Sequence, residues 1–251
     1  MKMTGNTILI TGGTSGIGRA LAYALDDLGN KVIVTGRREA LLESIMQERP
    51  NITALPLDIT STSSLNALAE TVQAHFPALN VLITNAGISA GEDMTDDNWS
   101  TSTAEDIIQT NITGVLRTVA AFLPLIKQQD NATIITTSSN LAFIPRAAFP
   151  TYCASKAFLH SWLQSLRHQL RNIPIEVLEL APPYVQTELT GSQQASDPRA
   201  MPLAEYCAEV IGLLAYGNLP NGEILVQRDN ARRHAERNGE YDAFFAAMNP
   251  A

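Results

Sequence analysis

Short, apolar, β-branched runs alternate along this chain with longer stretches in which apolar residues return every three or four positions. The runs predict strands over 7–11, 31–35, 52–57, 79–84, 131–137, 173–180 and 223–227. The longer stretches predict helices near 17–28, 38–48, 61–75, 103–128, 152–171 and 203–216. Strand–helix alternation of this kind implies an α/β fold: one doubly wound, parallel, seven-stranded sheet with helices on both faces and right-handed crossovers. No repeat, linker or low-complexity segment divides the chain, so 1–228 reads as a single domain. Residues 229–251 read as a helical extension that packs on its own or a neighbouring subunit. Pro124, late in the fourth helical stretch, is expected to kink it.

Composition narrows the class. The 251 residues suffice for one substantial core, and 45% hydrophobic with 17% charged residues is a globular balance. A net charge of −8 disfavours nucleic acid and anionic membranes as partners. There is no apolar run of membrane-spanning length, and the N-terminus enters the first strand almost at once, so a cytoplasmic location is expected. Two cysteines, Cys153 and Cys207, are too few for a disulfide framework. No metal is expected.

Two motifs bring chemistry. The first predicted strand runs directly into Gly12-Gly13-Thr14-Ser15-Gly16-Ile17-Gly18 and then a helix. Gly12 permits the tight turn, Gly16 lets backbone approach a pyrophosphate, and Gly18 lets the helix pack on the strand. The helix N-terminus then offers unpaired N–H groups and a positive dipole end to phosphate. The second motif is Tyr152 and Lys156, four apart on one predicted helix face. A tyrosine with an ordinary pKa of about 10 is a poor acid or base at neutral pH. An adjacent ammonium is expected to pull that value down into a useful range.

Thr11-Gly12-x-x-x-Gly16-x-Gly18, Asn85-Ala86-Gly87, Asn111, Ser139, Tyr152 and Lys156 together resemble the short-chain dehydrogenase/reductase family, over about residues 5 to 228. The wording of segments such as 29–33, 77–83 and 182–187 is similar to its DltE-like subgroup. The resemblance implies a Rossmann-type fold and a nicotinamide cofactor. Toward that cofactor it points to Gly12, Thr14, Ser15, Gly16, Ile17 and Gly18, to Asp58 and Ile59 after the third strand, and to Asn85, Ala86 and Gly87 after the fourth. Tyr152 and Lys156 also face it, and Pro182, Val185 and Thr187 lie beside the nicotinamide. It implies that Ser139, Tyr152, Lys156 and Asn111 are catalytic, Asn111 by holding a water that links the lysine to solvent. Ser139 is preferred to Ser138 because it lies thirteen residues before Tyr152, the family's commonest spacing. Ser138 is then its sheet-facing neighbour.

Cofactor choice rests on the end of the second strand. An acid there, about 20 residues after the glycine turn, would grip the ribose 2′-hydroxyl of NAD. This chain has Gly36 followed by Arg37 and Arg38, and arginine suits a 2′-phosphate. NADP is therefore expected, with Arg37 a better candidate than Arg38; Ser15, where some NADP-dependent relatives have a basic residue, leaves NAD open.

The resulting expectation is an oxidoreductase that interconverts a carbonyl and an alcohol by hydride transfer, Tyr152 moving the proton and Ser139 polarising the carbonyl. An apolar, partly aromatic wall of Leu141, Phe143, Ile144, Phe149, Tyr184, Leu189 and Met94 is expected to admit a ketone with a hydrophobic substituent. Pro183, where the family commonly has glycine, stiffens the turn beside it. A homodimer or homotetramer is expected through the helices at 103–128 and 152–171, with the tail altering or blocking the tetramer contact near strand seven. The alternative is a binding protein that senses NADP without turnover.

Overall fold

The computed structural model describes residues 1–250, so Ala251 of the extension lies outside the described residues. Seven strands form one parallel sheet: β1 (Thr7–Thr11), β2 (Lys31–Gly36), β3 (Thr53–Pro56), β4 (Leu79–Thr84), β5 (Ala132–Thr137), β6 (Ile175–Leu180) and β7 (Glu223–Ile224). Their order is β3-β2-β1-β4-β5-β6-β7. The order reverses between β1 and β4, which opens a crevice at the strands' carboxyl ends. The expected doubly wound parallel fold is thus the one observed.

Alternation along each strand divides the core in two. Ile8 and Ile10 on β1 join Val32, Val34, Leu21, Leu25 and Val210 on one face. Leu9 between them joins Ile33, Leu82, Val119 and Leu163 on the other. The first face is covered by α1 (Gly16–Asp27), α2 (Glu39–Glu48) and, further along the chain, α8 (Leu203–Tyr216). The second is covered by α3 (Thr62–His75), α5 (Val115–Ile126) and α6 (Pro150–Gln169).

The single long helix expected over 103–128 is not continuous. It consists of α4 (Ser102–Ile108), a π-helical segment (Gln109–Gly114) and α5. The disturbance falls at Asn111, and α5 runs on through Pro124 to Ile126. A π turn shifts the ladder by one residue and swings the Asn111 side chain toward the sheet's edge. β7 is also shorter than expected. It pairs with β6 only at Glu179–Glu223 and Leu180–Ile224, and the chain then turns through Gln227–Asp229. The short α7 (Ser192–Ala195) precedes α8; α9 (Asn230–His234) and α10 (Tyr241–Met248) end the chain. Among the described residues, no helix is long and apolar enough to cross a membrane.

Candidate active site at the carboxyl edge of the sheet

A cleft of about 800 Å³ lies over the crevice between β1 and β4. Its floor is the glycine turn. Gly12 has φ +66° and Gly16 φ +53°, where L residues are strained. A Cβ on Gly12 would meet Ala86 Cα at 2.7 Å, and one on Gly18 would meet Gly12 O at 2.3 Å and Asn85 Nδ2 at 2.5 Å. Both contacts are with neighbouring loops that cannot withdraw. Gly18→Ala is therefore expected to destabilise the fold by about 3 kcal/mol through overpacking. Thermal unfolding is the check, and a Tm unchanged from the parent would contradict it.

Asn85-Ala86-Gly87 stitches the floor together. The Asn85 and Ala86 amides both donate to Thr11 Oγ1, at 3.1 and 3.3 Å, and Asn85 Nδ2 donates to Gly12 O at 3.2 Å. Thr137 Oγ1 donates to Asn85 Oδ1 at 3.3 Å. The ends of β1, β4 and β5 are so held in one frame. Ser15, N-cap of α1, makes no side-chain capping bond to the helix. Its Oγ instead accepts from Arg38 Nη2 at 2.8 Å. Thr14, Ser15, Gly16, Ile17, Arg37 and Arg38 all line the cleft. Arg38, the arginine the sequence favours less, thus bonds directly to the serine of the glycine turn.

Across the cleft, Asp58 Oδ1 accepts from Thr60 N at 2.9 Å and Thr60 Oγ1 at 2.7 Å. The Thr60 hydroxyl, then its amide, hold the carboxyl below its ordinary value, and the Arg37 charge adds to this. Ile59 follows and also lines the cleft. The opposite wall contains Pro182, Val185 and Thr187. Gln194 on α7 props this wall, donating to Val185 O at 2.8 Å and Thr187 Oγ1 at 3.1 Å. Nothing in a surface-like Ser-Gln-Gln-Ala stretch signals that role before the chain is folded.

Ser139, Tyr152 and Lys156 line the cleft together, with the Ser139 hydroxyl beside the Tyr152 phenol. The Ser139 hydroxyl accepts from Leu141 N at 3.1 Å. Helix α6 sets Tyr152 and Lys156 on one face, with Lys156 Nζ 5.6 Å from the centre of the tyrosine ring. Glu92 steadies the start of that helix, accepting from Thr151 N and Thr151 Oγ1, both at 3.0 Å. Asn111 is fully buried and stands behind the wall rather than on it. Its Oδ1 accepts from Ile88 N at 2.9 Å, while Nδ2 donates to Ile88 O at 2.9 Å and Ser155 Oγ at 3.1 Å. The same amide oxygen faces Gly87, where a Cβ would lie 3.2 Å from it and 3.6 Å from Lys156 Nζ.

The acid–base balance differs from the sequence expectation. Burial pushes the Tyr152 phenol up to about 12, and the adjacent Ser139 hydroxyl offsets this only in part. Burial draws the Lys156 ammonium down to about 8. Lys156 does not lower the tyrosine here, because its ammonium donates to Thr137 O at 2.9 Å instead of to the phenol. Desolvation of both side chains therefore outweighs their mutual attraction.

Of the seven residues expected to form the substrate wall, only Leu189 lines this cleft. Phe143 is wedged between the edge of His160, 5.1 Å between ring centres, and the Arg233 guanidinium, 4.6 Å away. Leu141 and Phe149 pack against the Tyr152–Cys153 cluster, Tyr184 Oη donates to Asp197 at 3.2 Å, Ile144 is buried and Met94 is exposed. Phe143 and Tyr184 are engaged by charged groups outside their own loops, Arg233 and Asp197.

Those charged groups include carboxylates the motifs do not contain. Ser138 Oγ donates to buried Glu179 at 2.5 Å, and Glu179 also pairs with His160 Nδ1 at 2.7 Å. Arg233 forks onto Glu223 with two bonds of 2.7 Å. Asn140 donates to Asp229 at 3.0 Å. Acids inside predicted strands, Glu179 in β6 and Glu223 in β7, are the sequence signal for this network.

Comparison with known proteins agrees with this architecture. Residues 6–198 match the family profile described as short chain dehydrogenase. The chain is 40% identical over 251 residues to the uncharacterized oxidoreductase DltE of Bacillus subtilis, covering 99% of this chain and 98% of that protein. It is 31% identical over 204 residues to an uncharacterized oxidoreductase of Myxococcus xanthus, covering 80% of each. A Burkholderia cenocepacia short chain dehydrogenase solved with NADP superposes with a TM-score of 0.83 at 21% identity, over 99% of both chains. A Burkholderia phymatum relative solved with NAD superposes with a TM-score of 0.80 at 22% identity, over 100% of this chain and 98% of that one.

Proposed function

This chain belongs to the short-chain dehydrogenase/reductase family of oxidoreductases, and from that premise we propose that it is an NADP-preferring carbonyl reductase. The observation that supports this most is that Ser139, Tyr152 and Lys156 line the same cleft as the glycine turn and the two arginines that follow β2. The residues fit a dinucleotide: the cradle at Gly12 and Gly18 has no room for a Cβ, and the α1 N-terminus opens onto the same cleft. NADPH, when bound, supplies the hydride.

The chain's own groups do the rest. Ser139 Oγ offers its proton to the carbonyl oxygen and stabilises the charge that develops there. Tyr152, protonated up to about pH 12, is in the correct state to donate a proton in the reducing direction. Lys156, held near Gly87 and Thr137 O, presents a positive charge on the cofactor side of the phenol. The reading is tested by following reduced-nicotinamide absorbance with NADPH and with NADH against ketones and aldehydes graded from short aliphatic to aryl. NADPH turnover supports it. Tight NADPH binding without any turnover would favour the sensor reading.

The NADP preference rests on Arg37, Arg38 and the lack of an acid at Gly36. A charge-assisted bond to the 2′-phosphate is worth about 1.5–3 kcal/mol. Arg38→Ala is therefore expected to raise the KM for NADPH at least tenfold while leaving that for NADH unchanged. Equal effects on both cofactors would assign Arg38 to the turn's structure alone.

A further inference from the structure

We propose that Asp229, brought from the C-terminal segment, is a positioning residue that sets the orientation of the Ser139 hydroxyl through Asn140. The inference rests on the reading of Ser139 given above and extends it to a residue outside every motif. Asn140 and Asp229 are both buried, 3% exposed each, and lie 89 residues apart in the chain. Asp229 Oδ1 accepts from Asn140 Nδ2 at 3.0 Å, while Asn140 Oδ1 accepts from Ser139 Oγ at 3.5 Å. A carboxylate can only accept, so it holds the amide NH₂ of Asn140 toward itself and the amide oxygen toward the serine. Burial pushes the Asp229 carboxyl up; the bond from Asn140, then the charge of Arg232 3.7 Å from the same oxygen, oppose this and favour the accepting carboxylate.

That arrangement leaves the serine oxygen fixed by Leu141 N and its proton on a long, weak bond that a substrate carbonyl can take over. With the amide turned round, Nδ2 would donate to Ser139 Oγ and redirect the proton. The backbone is tied as well: Asn140 N donates to Pro182 O at 2.9 Å, next to the nicotinamide-side wall. Stability alone does not account for Asp229. Its second oxygen is buried without a hydrogen bond, as is the nearby Tyr206 hydroxyl, and a half-satisfied buried carboxylate is costly.

The tail that follows Asp229 is anchored to the same loop. Arg233 lies over Phe143, and Asn249 donates to Pro145 O at 3.1 Å and accepts from Ala147 N at 2.6 Å. The C-terminal segment thus returns to the loop after β5 in its own chain.

The test compares Asp229→Ala, Asp229→Asn and Asn140→Ala in the full chain by two readouts. One is NADPH oxidation with the best carbonyl compound of the panel. The other is hydrogen exchange of the Leu141 amide, which reports the position of Ser139 Oγ without any substrate. Asp229→Ala is expected to lower kcat roughly 10- to 100-fold, the scale of a misplaced reacting group, with the KM for NADPH unchanged. It should also speed Leu141 exchange while the β5 amides stay protected. Asp229→Asn, which keeps a carbonyl acceptor, should recover most of both, and adding Asp229→Ala to Asn140→Ala should have no further effect. Unchanged Leu141 exchange and kcat in Asp229→Ala would overturn the proposal, as would full additivity with Asn140→Ala. Full activity of Ser139→Ala would instead overturn the catalytic reading of the serine, and leave the exchange result to judge the positioning by itself.

Discussion

Tyr152→Phe is expected to cut carbonyl reduction by roughly 10²–10⁴-fold, the usual contribution of a positioned general acid. Tyr152 is 7% exposed on the cleft wall, packed with Cys153 and Ile107, and the ring's packing survives the change. What is lost is the phenol proton beside Ser139. Because burial lifts the phenol to about 12, that proton is fully present across any working pH, so the parent's rate should not fall from tyrosine ionisation below that value. NADPH affinity, measured by nucleotide fluorescence, should be the same in parent and variant. Turnover within threefold of the parent would remove Tyr152 from the mechanism.

Lys156→Met is expected to abolish turnover and at the same time to stabilise the protein at neutral pH. The folded ammonium titrates at about 8 against an ordinary value of 10.5. Between these values the unfolded chain binds more protons than the folded one, so stability rises with pH through that window. Below about pH 8 the full cost of the buried charge is present, roughly 3 kcal/mol for a displacement of this size. Methionine removes that cost but leaves Thr137 O without its donor, a loss of about 1 kcal/mol. The net gain of about 2 kcal/mol should raise Tm by roughly 4–8 °C at pH 7 and shrink toward pH 10.5. A variant less stable than the parent at pH 7 would show that the ammonium is a net stabiliser. The parent's reduction rate should also decline above about pH 8, as Lys156 loses its proton.

The two effects on Lys156 have one origin. A lysine 4% exposed with a single backbone acceptor is poorly solvated, so burial both draws its pKa down and makes its charge costly in the folded chain. Asn111 is a related case. It interrupts a helix with a π turn, and its side chain holds Ile88 as a strand neighbour would, which keeps Gly87 and Lys156 in register.

Local sequence determined the elements, because hydrophobic period is a short-range signal. The strand at 7–11, the glycine turn that follows it and the Tyr152–Lys156 helix face all depend on residues within a few positions of one another. The parallel sheet followed from their alternation. What only the tertiary structure decided is which side chains from remote segments meet at the cleft. Glu179 beneath Ser138, Asp229 beneath Asn140, Gln194 behind Thr187 and Arg38 on Ser15 are each brought in by a different crossover, and no spacing along the chain encodes such a pairing. The same cause redirected Phe143 from a substrate wall to a stack beneath Arg233. The acid–base balance was likewise invisible beforehand, since desolvation depends on how completely the folded chain covers Tyr152 and Lys156, and coverage is a property of the whole packing rather than of a four-residue spacing.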